Sequence, residues 1–347
     1  MADHFIGQVC PADKGALAQV DALLEQEGIR RDRNLDYTCA MFDENYQVIA
    51  TGSCFGNTLR CFAVRSDHQG EGLMNQIVTH LMEVQCARGN LHLFVYTKAQ
   101  SARFFGDLGF YQIAGVADTL VFMENRRDGF GSYLRRLEQT KTGGRSAALV
   151  MNANPFTLGH QYLAETAAAA CDTLHLFVVS EDASLVPFAV RKKLVAEGVK
   201  HLPNVILHDS GPYIISNATF PSYFLKDEAA VIEGHARLDL AVFARIARAL
   251  NITARYVGEE PASQVTGIYN QIMCRQLPEA GIRCIVVPRR QAGGRPISAS
   301  TVRQCLKAGD QAALEALLPQ TSLDYFRSPE ARPVLERIRS AGNVVHY

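Results

Sequence analysis

The 347-residue sequence predicts an α/β protein in which an α+β domain precedes a domain built on a parallel sheet. Three observations support this fold class. Apolar strand-like runs alternate with helical segments in the second half, the first half has a different order of strands and helices, and a charged stretch ending in glycines separates the halves. With 48% hydrophobic residues the chain can bury substantial cores, which favours two domains.

The first domain is predicted over residues 1–125. Its strands are expected at 5–9, 36–42, 47–53, 59–64 and 91–97, and its helices at 12–27 and 73–88. Before the second of these helices, Gln69, Gly70 and Gly72 expose backbone N–H groups. This arrangement suits a pyrophosphate, although the two glycines are also compatible with a simple turn at a helix start.

Residues 126–145 are predicted to link the two domains. The segment is rich in arginine and lysine and ends with Gly143, Gly144 and Arg145. Its central part, 131–140, is predicted to be a short charged helix, and the glycine pair would release the chain into the next strand.

The second domain is predicted over residues 146–347. Its strands are expected at 147–151, 173–179, 204–207, 252–257 and 282–287, and its helices at 161–171, 188–201, 238–250 and 268–277. The alternation predicts a parallel sheet with helices on both faces. Ligands of such open sheets bind beyond the carboxyl ends of the strands, where the loops 152–160, 180–187 and 258–261 fall.

The loop 152–160, NANPFTLGH, is the most informative segment of the sequence. It follows an apolar run and precedes an alanine-rich segment, so the sequence predicts a strand, then this loop, and then a helix. Thr157 offers a hydroxyl, His160 offers an imidazole, and the start of the helix offers free N–H groups at the positive end of its dipole. This combination is typical of a binding site for a nucleoside triphosphate.

A second phosphate motif, ISASTVR at 297–303, lies where another helix should begin, after Gly293, Gly294 and Pro296. The two motifs together resemble the (H/T)xGH and ISSTxxR signatures of the nucleotidyltransferase superfamily. Members of that superfamily attack the α-phosphate of a nucleotide and expel pyrophosphate. The resemblance implies a Rossmann-like nucleotidyltransferase domain, in which Ala299 stands where many relatives have serine.

The same resemblance assigns roles to residues of both motifs. His160, either protonated or donating through one ring nitrogen, would bind the α-phosphate oxygens, Thr157 and the loop amides would hold neighbouring oxygens, and Arg303 would bind the β- and γ-phosphates. These three are the expected catalytic residues. The expected cofactor-binding residues are Asn154, Pro155, Phe156, Gly159, Ser298, Ser300, Glu259 and Lys192.

The first domain resembles the GNAT acyltransferase fold. The resemblance rests on the QxxGxG-like loop that begins at Gln69 and on SARFFGDLGFYQI at 101–113, which look like the acetyl-coenzyme A motifs of that fold. The last glycine or alanine of the loop motif is replaced by Met74. The resemblance therefore implies a GNAT-like α+β fold more strongly than it implies acetyl transfer.

The combination of the two domains resembles the citrate lyase ligase family over essentially all 347 residues. The segments 216–228 and 256–273 add to this likeness. It implies an ATP- and Mg²⁺-dependent ligase in which acetate attacks the α-phosphate and the acetyl adenylate is passed to a thiol of the citrate lyase acyl-carrier protein. That thiol belongs to a prosthetic group derived from dephospho-coenzyme A, and the loop 69–72 could bind the pyrophosphate of this group.

Several other residues are weaker candidates, each with an ordinary structural alternative. A helix carrying Arg191, Lys192 and Lys193 could direct one cation at the triphosphate or could present a solvated face. Glu259 and Glu260 either orient ribose, magnesium or substrate, or form an exposed turn before Pro261. Candidates for the acetate or pantetheine pocket, or alternatively for a turn, are Ser216, Asn217, Thr219 and Tyr223.

The amino-acid composition argues against several classes of binding partner. Lysine plus arginine and aspartate plus glutamate each number 35, so no broad charge attracts nucleic acid or an anionic membrane. No run of about eighteen apolar residues and no signal-peptide layout is present, which predicts a cytoplasmic protein. The nine cysteines lack a CxxC pair and are expected to be reduced, and the histidines lack zinc-ligand spacing, so no metal site is predicted.

Two other functions remain open. The first domain could be an acetyltransferase that uses acetyl-coenzyme A, with the second domain sensing nucleotide. Met74 and the intact motifs of the second domain argue against it. The chain could instead be a docking protein without catalytic activity, which the presence of His160 and Arg303 disfavours.

Overall fold

The computed structural model describes residues 4–32, 34–214, 220, 228–260 and 264–341. The chain forms two compact units. The first comprises Met1–Gly131 and Pro221–Ala241, and the second comprises Ser132–Phe220 and Val242–Tyr347. The predicted α/β fold class is confirmed. Within the described ranges, no helix combines the length and the apolar character that a membrane span requires.

The first unit is built on a seven-stranded sheet. Its elements are β1 (Phe5–Gln8), α1 (Lys14–Gln26), β2 (Tyr37–Phe42), β3 (Val48–Phe55), β4 (Thr58–Val64), α2 (Leu73–Ala87), β5 (Phe94–Lys98), α3 (Ala102–Asp107), β6 (Tyr111–Val116) and β7 (Leu120–Glu124). The strand order is β1-β2-β3-β4-β5-β7-β6. The order of strands and helices is the one that the sequence predicts up to β5.

Strands β4 and β5 form the one parallel pair among the described strands of this sheet, and they pair only near their starts. The partners are Thr58 with Phe94 and Leu59 with Val95, whereas every other neighbouring pair is antiparallel. The two strands therefore separate toward the end of β4, from which the chain enters the loop 65–72.

The loop 65–72 ends in a glycine turn at the start of α2. Gly72 is the N-cap of α2 with a φ of 76°, and Gly70 has a φ of 89°. Both values lie in the left-handed region, which glycine adopts without steric cost. As predicted, a helix starts directly after Gly72. Gly52 on β3 allows this helix to approach the sheet, because a Cβ there would lie 2.6 Å from the side chain of Ile77.

The second unit contains a five-stranded sheet and the carboxyl-terminal helices. From α4 onward the elements are α4 (Gly129–Glu138), β8 (Ser146–Met151), α5 (Leu158–Ala169), β9 (Thr173–Val178), α6 (Phe188–Val199), β10 (Val205–Asp209), α7 (Glu228–Leu250), β11 (Ile252–Gly258), α8 (Gln264–Gln276), β12 (Arg283–Val287), β13 (Gln291–Ala292), β14 (Arg295–Pro296), α9 (Ala299–Ala308), α10 (Gln311–Leu317), α11 (Gln320–Arg327) and α12 (Arg332–Ser340).

The division of the chain departs from the predicted boundaries 1–125, 126–145 and 146–347. Helix α4 occupies much of the predicted linker, and residues Pro221–Ala241 group with the first unit. The physical reason is that α7 is one continuous helix, which starts at Glu228 rather than near 238 and contributes residues to both groups. A helical period shows that a segment is a helix, but it does not show against which core each end packs.

The sheet of the second unit has the order β10-β9-β8-β11-β12, and each neighbouring pair is parallel. The chain first adds strands on one side of β8 and later adds β11 and β12 on the other side. In a doubly wound sheet, the crevice at this reversal is the usual ligand site, beyond the carboxyl ends of the strands. The loop 152–157 starts at the carboxyl end of β8, so the fold places it at this point.

Candidate active site

A buried arginine holds the loops that follow β8 and β9. Arg191, on α6, is 0% exposed. Its guanidinium donates hydrogen bonds to four backbone carbonyl oxygens, those of Asn152, Val179, Glu181 and Val186. Because its guanidinium is buried and bound to these carbonyl oxygens, Arg191 fixes the two loops and does not present a cation to a ligand.

Three of the predicted cofactor-binding residues, Asn154, Pro155 and Phe156, are buried. The side-chain oxygen of Asn154 accepts a hydrogen bond from the N–H of Val186 at 3.0 Å. The ring of Phe156 is 0% exposed and fills the space that a Cβ on Gly198 would need. Because these side chains pack against the protein, a cofactor contact from this segment would come from its backbone.

Thr157 and His160 form a capping box at the start of α5. The Thr157 hydroxyl accepts a hydrogen bond from the His160 N–H at 3.3 Å, and the Thr157 N–H donates to His160 Nδ1 at 3.1 Å. The hydroxyl also lies 2.8 Å from Nδ1. Thr157 is 1% exposed and its hydroxyl is occupied, so its main role in this structure is to position the imidazole.

These hydrogen bonds determine the tautomer of His160. A backbone N–H can only donate, so Nδ1 must be the acceptor and the ring proton of the neutral form is on Nε2. Burial, and to a smaller extent the charge of Arg289, lower the pKa of His160 to about 4. No described residue accepts a hydrogen bond from Nε2. At neutral pH, His160 therefore offers one uncharged N–H donor.

The second motif starts helix α9 in the same way as the first starts α5. Ser298 is the N-cap, and its hydroxyl accepts a hydrogen bond from the Thr301 N–H at 3.0 Å. Arg303 lies one turn later and is 8% exposed. Its guanidinium donates to the carbonyl oxygen of Asn154 and to the Ser300 hydroxyl. The second motif thus binds the loop of the first motif through a buried cation.

The two motifs also meet at their backbones. A Cβ on Gly159 would lie 3.3 Å from the carbonyl oxygen of Ile297 and 3.6 Å from its Cβ. Gly159 is in the first turn of α5, and Ile297 directly precedes the N-cap of α9. The amino-terminal ends of two helices therefore converge at one place, and both ends carry unpaired N–H groups and partial positive charge. This geometry favours an anion.

The loop after β11 contains Glu259 and Glu260 and is paired with Arg289. Arg289 Nε donates to the carbonyl oxygen of Glu259 at 2.7 Å, and its guanidinium forms an ion pair with the Glu260 carboxylate. Glu259 is exposed. Sequence reasoning did not select Arg289 as a site residue. Its position directly beyond β12, at the same sheet edge as the other loops, was the signal that could have identified it.

Lys192, another predicted cofactor-binding residue, forms an exposed ion pair. Its Nζ lies 2.8 Å from the Asp209 carboxylate at the end of β10. Lys193 pairs in the same way with Glu330. The charge of Lys192 is thus balanced by a neighbour at the carboxyl edge of the sheet.

Four of the weaker candidates, Ser216, Asn217, Thr219 and Tyr223, lie outside the described residues.

In the first unit, His4, His68 and Glu71 lie close together at the glycine loop. Their potential ligand atoms are within 4.8 Å of one another. His68 Nδ1 lies 3.1 Å from the Glu71 carboxylate, and Arg65 lies 2.6 Å from His68 Nε2. The adjacent guanidinium opposes the binding of a metal cation. Arg65, His68 and Glu71 form a hydrogen-bonded chain, and the His4 ring packs edge-on against His68.

His160 is expected to remain neutral at pH 7 with its proton on Nε2. Its pKa of about 4 lies below the ordinary 6.5, so between these values the unfolded chain binds a proton that the folded chain does not. Stability should therefore fall as the pH decreases from 6.5 toward 4, and buried His175 and His208 act in the same direction. ¹H–¹⁵N NMR of the imidazoles can check this. A doubly protonated His160 ring at pH 7 would contradict the hydrogen-bond assignment.

The chain is similar to known proteins over most of its length. The sequence model described as the citrate lyase ligase C-terminal domain matches residues 146–326. A citrate (pro-3S)-lyase ligase of Haemophilus influenzae is 38% identical over 318 residues, which are 90% of this chain and 95% of that protein. One of Klebsiella pneumoniae is 39% identical over 323 residues, 90% of this chain and 93% of that protein.

Among solved structures, this chain is similar to an acyl-CoA N-acyltransferase of Pseudomonas aeruginosa. The superposition covers 36% of this chain and 100% of that protein, with 15% sequence identity and a TM-score of 0.31. A likeness at this level assigns no activity to the first unit. The two ligases are similar along almost the whole chain, and the family match contains both phosphate motifs. The chain therefore belongs to the citrate lyase ligase family.

Proposed function

We propose that this protein is an ATP-dependent ligase that acetylates the prosthetic-group thiol of the citrate lyase acyl-carrier protein and thereby activates citrate lyase. The names of its relatives support the target, since both are citrate (pro-3S)-lyase ligases. The proposal adds the route, in which the acetyl group is first activated as acetyl adenylate.

This route consists of two nucleophilic substitution reactions. An oxygen of acetate forms a bond to the α-phosphorus of ATP, the bond from that phosphorus to the bridging oxygen breaks, and pyrophosphate leaves with the electron pair. The carrier thiolate then attacks the acetyl carbonyl carbon, and AMP leaves. The thiol proton passes to solvent. Acetate is already an anion, so the first step needs no general base.

The observation that carries the proposal is the free Nε2–H of a neutral His160 at the meeting point of two helix amino termini. Charge develops on the α-phosphate oxygens during the attack, and fixed donors stabilise that charge without reorganising. The capping box with Thr157 orients the imidazole before substrate arrives. A donor of this kind contributes about 3–4 kcal/mol to lowering a barrier.

Magnesium is expected to accompany the nucleotide. Mg²⁺ retains several waters and is usually bound by substrate phosphates with one or two carboxylates. Glu259 is exposed beside the site and could supply one, whereas the Glu260 carboxylate is paired with Arg289. These residues are therefore compatible with a Mg²⁺ ion that binds together with ATP and is held mainly by its phosphates.

Acetate-dependent exchange of radiolabelled pyrophosphate into ATP tests the proposed first step. Reversible formation of acetyl adenylate predicts exchange when ATP, Mg²⁺ and acetate are present without the carrier protein, and no exchange when acetate is omitted. Adding the thiol form of the carrier should then give AMP and a thioester in equal amounts. Acetyl transfer from acetyl-coenzyme A without ATP, with no exchange, would contradict the proposal and favour a GNAT-type acetyltransferase.

A further inference from the structure

Phosphate binding is favoured by a cation, but the cations that the sequence predicts for this role already bind groups of the protein. They are Arg303 of the second motif and Arg191 and Lys192 of α6. Arg191 and Arg303 are buried and donate to carbonyl and hydroxyl oxygens. Lys192 is exposed and paired with Asp209. Arg303 is 8% exposed, and its guanidinium already donates to the Asn154 carbonyl and the Ser300 hydroxyl, so it is poorly accessible to the β- and γ-phosphates.

Arg289 differs from these cations because the described residues bind only part of its guanidinium, and its side chain is 22% exposed. The backbone N–H of Glu259 donates to the carbonyl of Val287 at 2.8 Å, which joins the loops after β11 and β12. Arg289 then donates through Nε to the Glu259 carbonyl and through one terminal nitrogen to Glu260. A guanidinium has five N–H groups, so three remain without a partner among the described residues.

The backbone places Arg289 beside the first turn of α5. The carbonyl of Arg290 accepts a hydrogen bond from the Ile297 N–H at 2.9 Å, and the carbonyl of Ile297 lies against Gly159. On the other side, Gly258 lies against Leu163, one turn after His160 on the same face of the helix. The loop with Arg289 is thus joined to the second motif through Ile297, which lies against the first motif, and the positive charge of Arg289 acts on the His160 imidazole.

We propose that Arg289 binds the phosphate chain of the nucleotide at this site and that Glu260 is the residue that positions it; the inference rests on the proposed function. The three unpartnered N–H groups allow a bidentate hydrogen bond to phosphate oxygens. Arg289 would supply the positive charge, while the neutral His160 would supply a directed donor. Arg303 would keep the loop in shape.

The test uses the full-length protein with Arg289→Gln, Arg289→Lys and the matched control Arg290→Gln. Arg290 is the next residue, and its side chain is exposed and has no partner among the described residues. Calorimetric titration with MgATP measures binding without requiring acetate or carrier. Arg289→Gln should weaken ATP binding about 10- to 100-fold, the range of one or two charge-assisted hydrogen bonds. Arg290→Gln should change it by less than about twofold.

A second readout separates binding from a merely structural effect. Loss of the charge should raise the pKa of His160, measured by NMR in Arg289→Gln, and Arg289→Lys should keep that pKa low while restoring only part of the ATP affinity. Glu260→Gln should raise KM for ATP more than it lowers kcat, because the cation is still present but is less well positioned. Equal ATP affinity in Arg289→Gln, Arg290→Gln and the parent protein would overturn the inference.

Failure of the proposed function would look different. In that case the parent protein would show no acetate-dependent pyrophosphate exchange, whereas the comparison of ATP affinities between the Arg289 and Arg290 variants would still decide whether Arg289 binds phosphate. If Arg289→Gln does not fold, Arg289→Lys replaces it, because lysine keeps the charge but loses the bidentate geometry. ATP affinity lower than in Arg290→Gln would then support phosphate binding by Arg289, and equal affinity would overturn the inference.

Discussion

Replacing His160 by alanine is expected to reduce acetate-dependent pyrophosphate exchange by about 100-fold or more. The change removes the Nε2–H donor of His160, which is proposed to stabilise charge on the α-phosphate. Binding of ATP should change much less than turnover, because charge on these oxygens grows in the transition state. Initial exchange rates at saturating ATP and acetate measure the effect.

The control for this variant is His201→Ala. His201 is also in the second unit, but its side chain is 47% exposed and pairs with Glu165. Its replacement should leave the exchange rate unchanged. His160→Ala also removes the acceptor of the Thr157 N–H, which should cost about 0.5–2 kcal/mol of stability, so melting curves are needed beside the rates. Exchange at the parental rate in a folded His160→Ala protein would show that the site is assigned wrongly.

Replacing Arg191 by methionine is expected to lower the free energy of unfolding by about 3–5 kcal/mol, the range seen when one partner of a buried charged network is removed. Four carbonyl oxygens would lose their common donor, and each buried acceptor without a partner costs about 1–3 kcal/mol. Because these carbonyls lie in the loops after β8 and β9, exchange activity should fall together with stability. Urea unfolding followed by far-UV circular dichroism measures the change.

Lys193→Met on the same helix is the matched control. Lys193 makes an ion pair with Glu330, and the two side chains are 58% and 69% exposed. Exposed pairs of this kind contribute at most about 1 kcal/mol. If Arg191→Met and Lys193→Met had the same unfolding midpoint, the four hydrogen bonds of Arg191 would not have the structural role described above.

Much of the fold could be predicted from local sequence signals. The apolar run before Asn152 and the alanine-rich run after His160 define strand β8 and helix α5, and Thr157 has the chemistry of an N-cap. Ser298 gives the same signal for α9. The structure confirms these elements. They could be predicted because each depends on the residue types of a short, continuous segment. The glycines at 293 and 294 indicated a turn, whereas the short strands β13 and β14 on either side were not expected.

Tertiary partners were not predictable in this way. The sequence shows that Arg191, Arg289 and Arg303 are cations, but not that two of them are buried against carbonyl oxygens while the third is held at the site by Glu260. Asn154 and Phe156 likewise belong to the motif, yet their side chains pack inward. The direction of a side chain depends on contacts with residues far away in the sequence, such as that of Arg303 with Asn154, 149 positions away, and no local pattern records these contacts.

The central claim is that the two motifs form one site for the phosphates of ATP, with His160 at the α-phosphate. A crystal structure with a non-hydrolysable ATP analogue and Mg²⁺ tests it most directly. We expect an oxygen of the α-phosphate within about 3.2 Å of His160 Nε2, at the meeting point of α5 and α9. A nucleotide bound elsewhere on the protein, or an imidazole whose Nε2 faces away from the phosphates, would contradict the account.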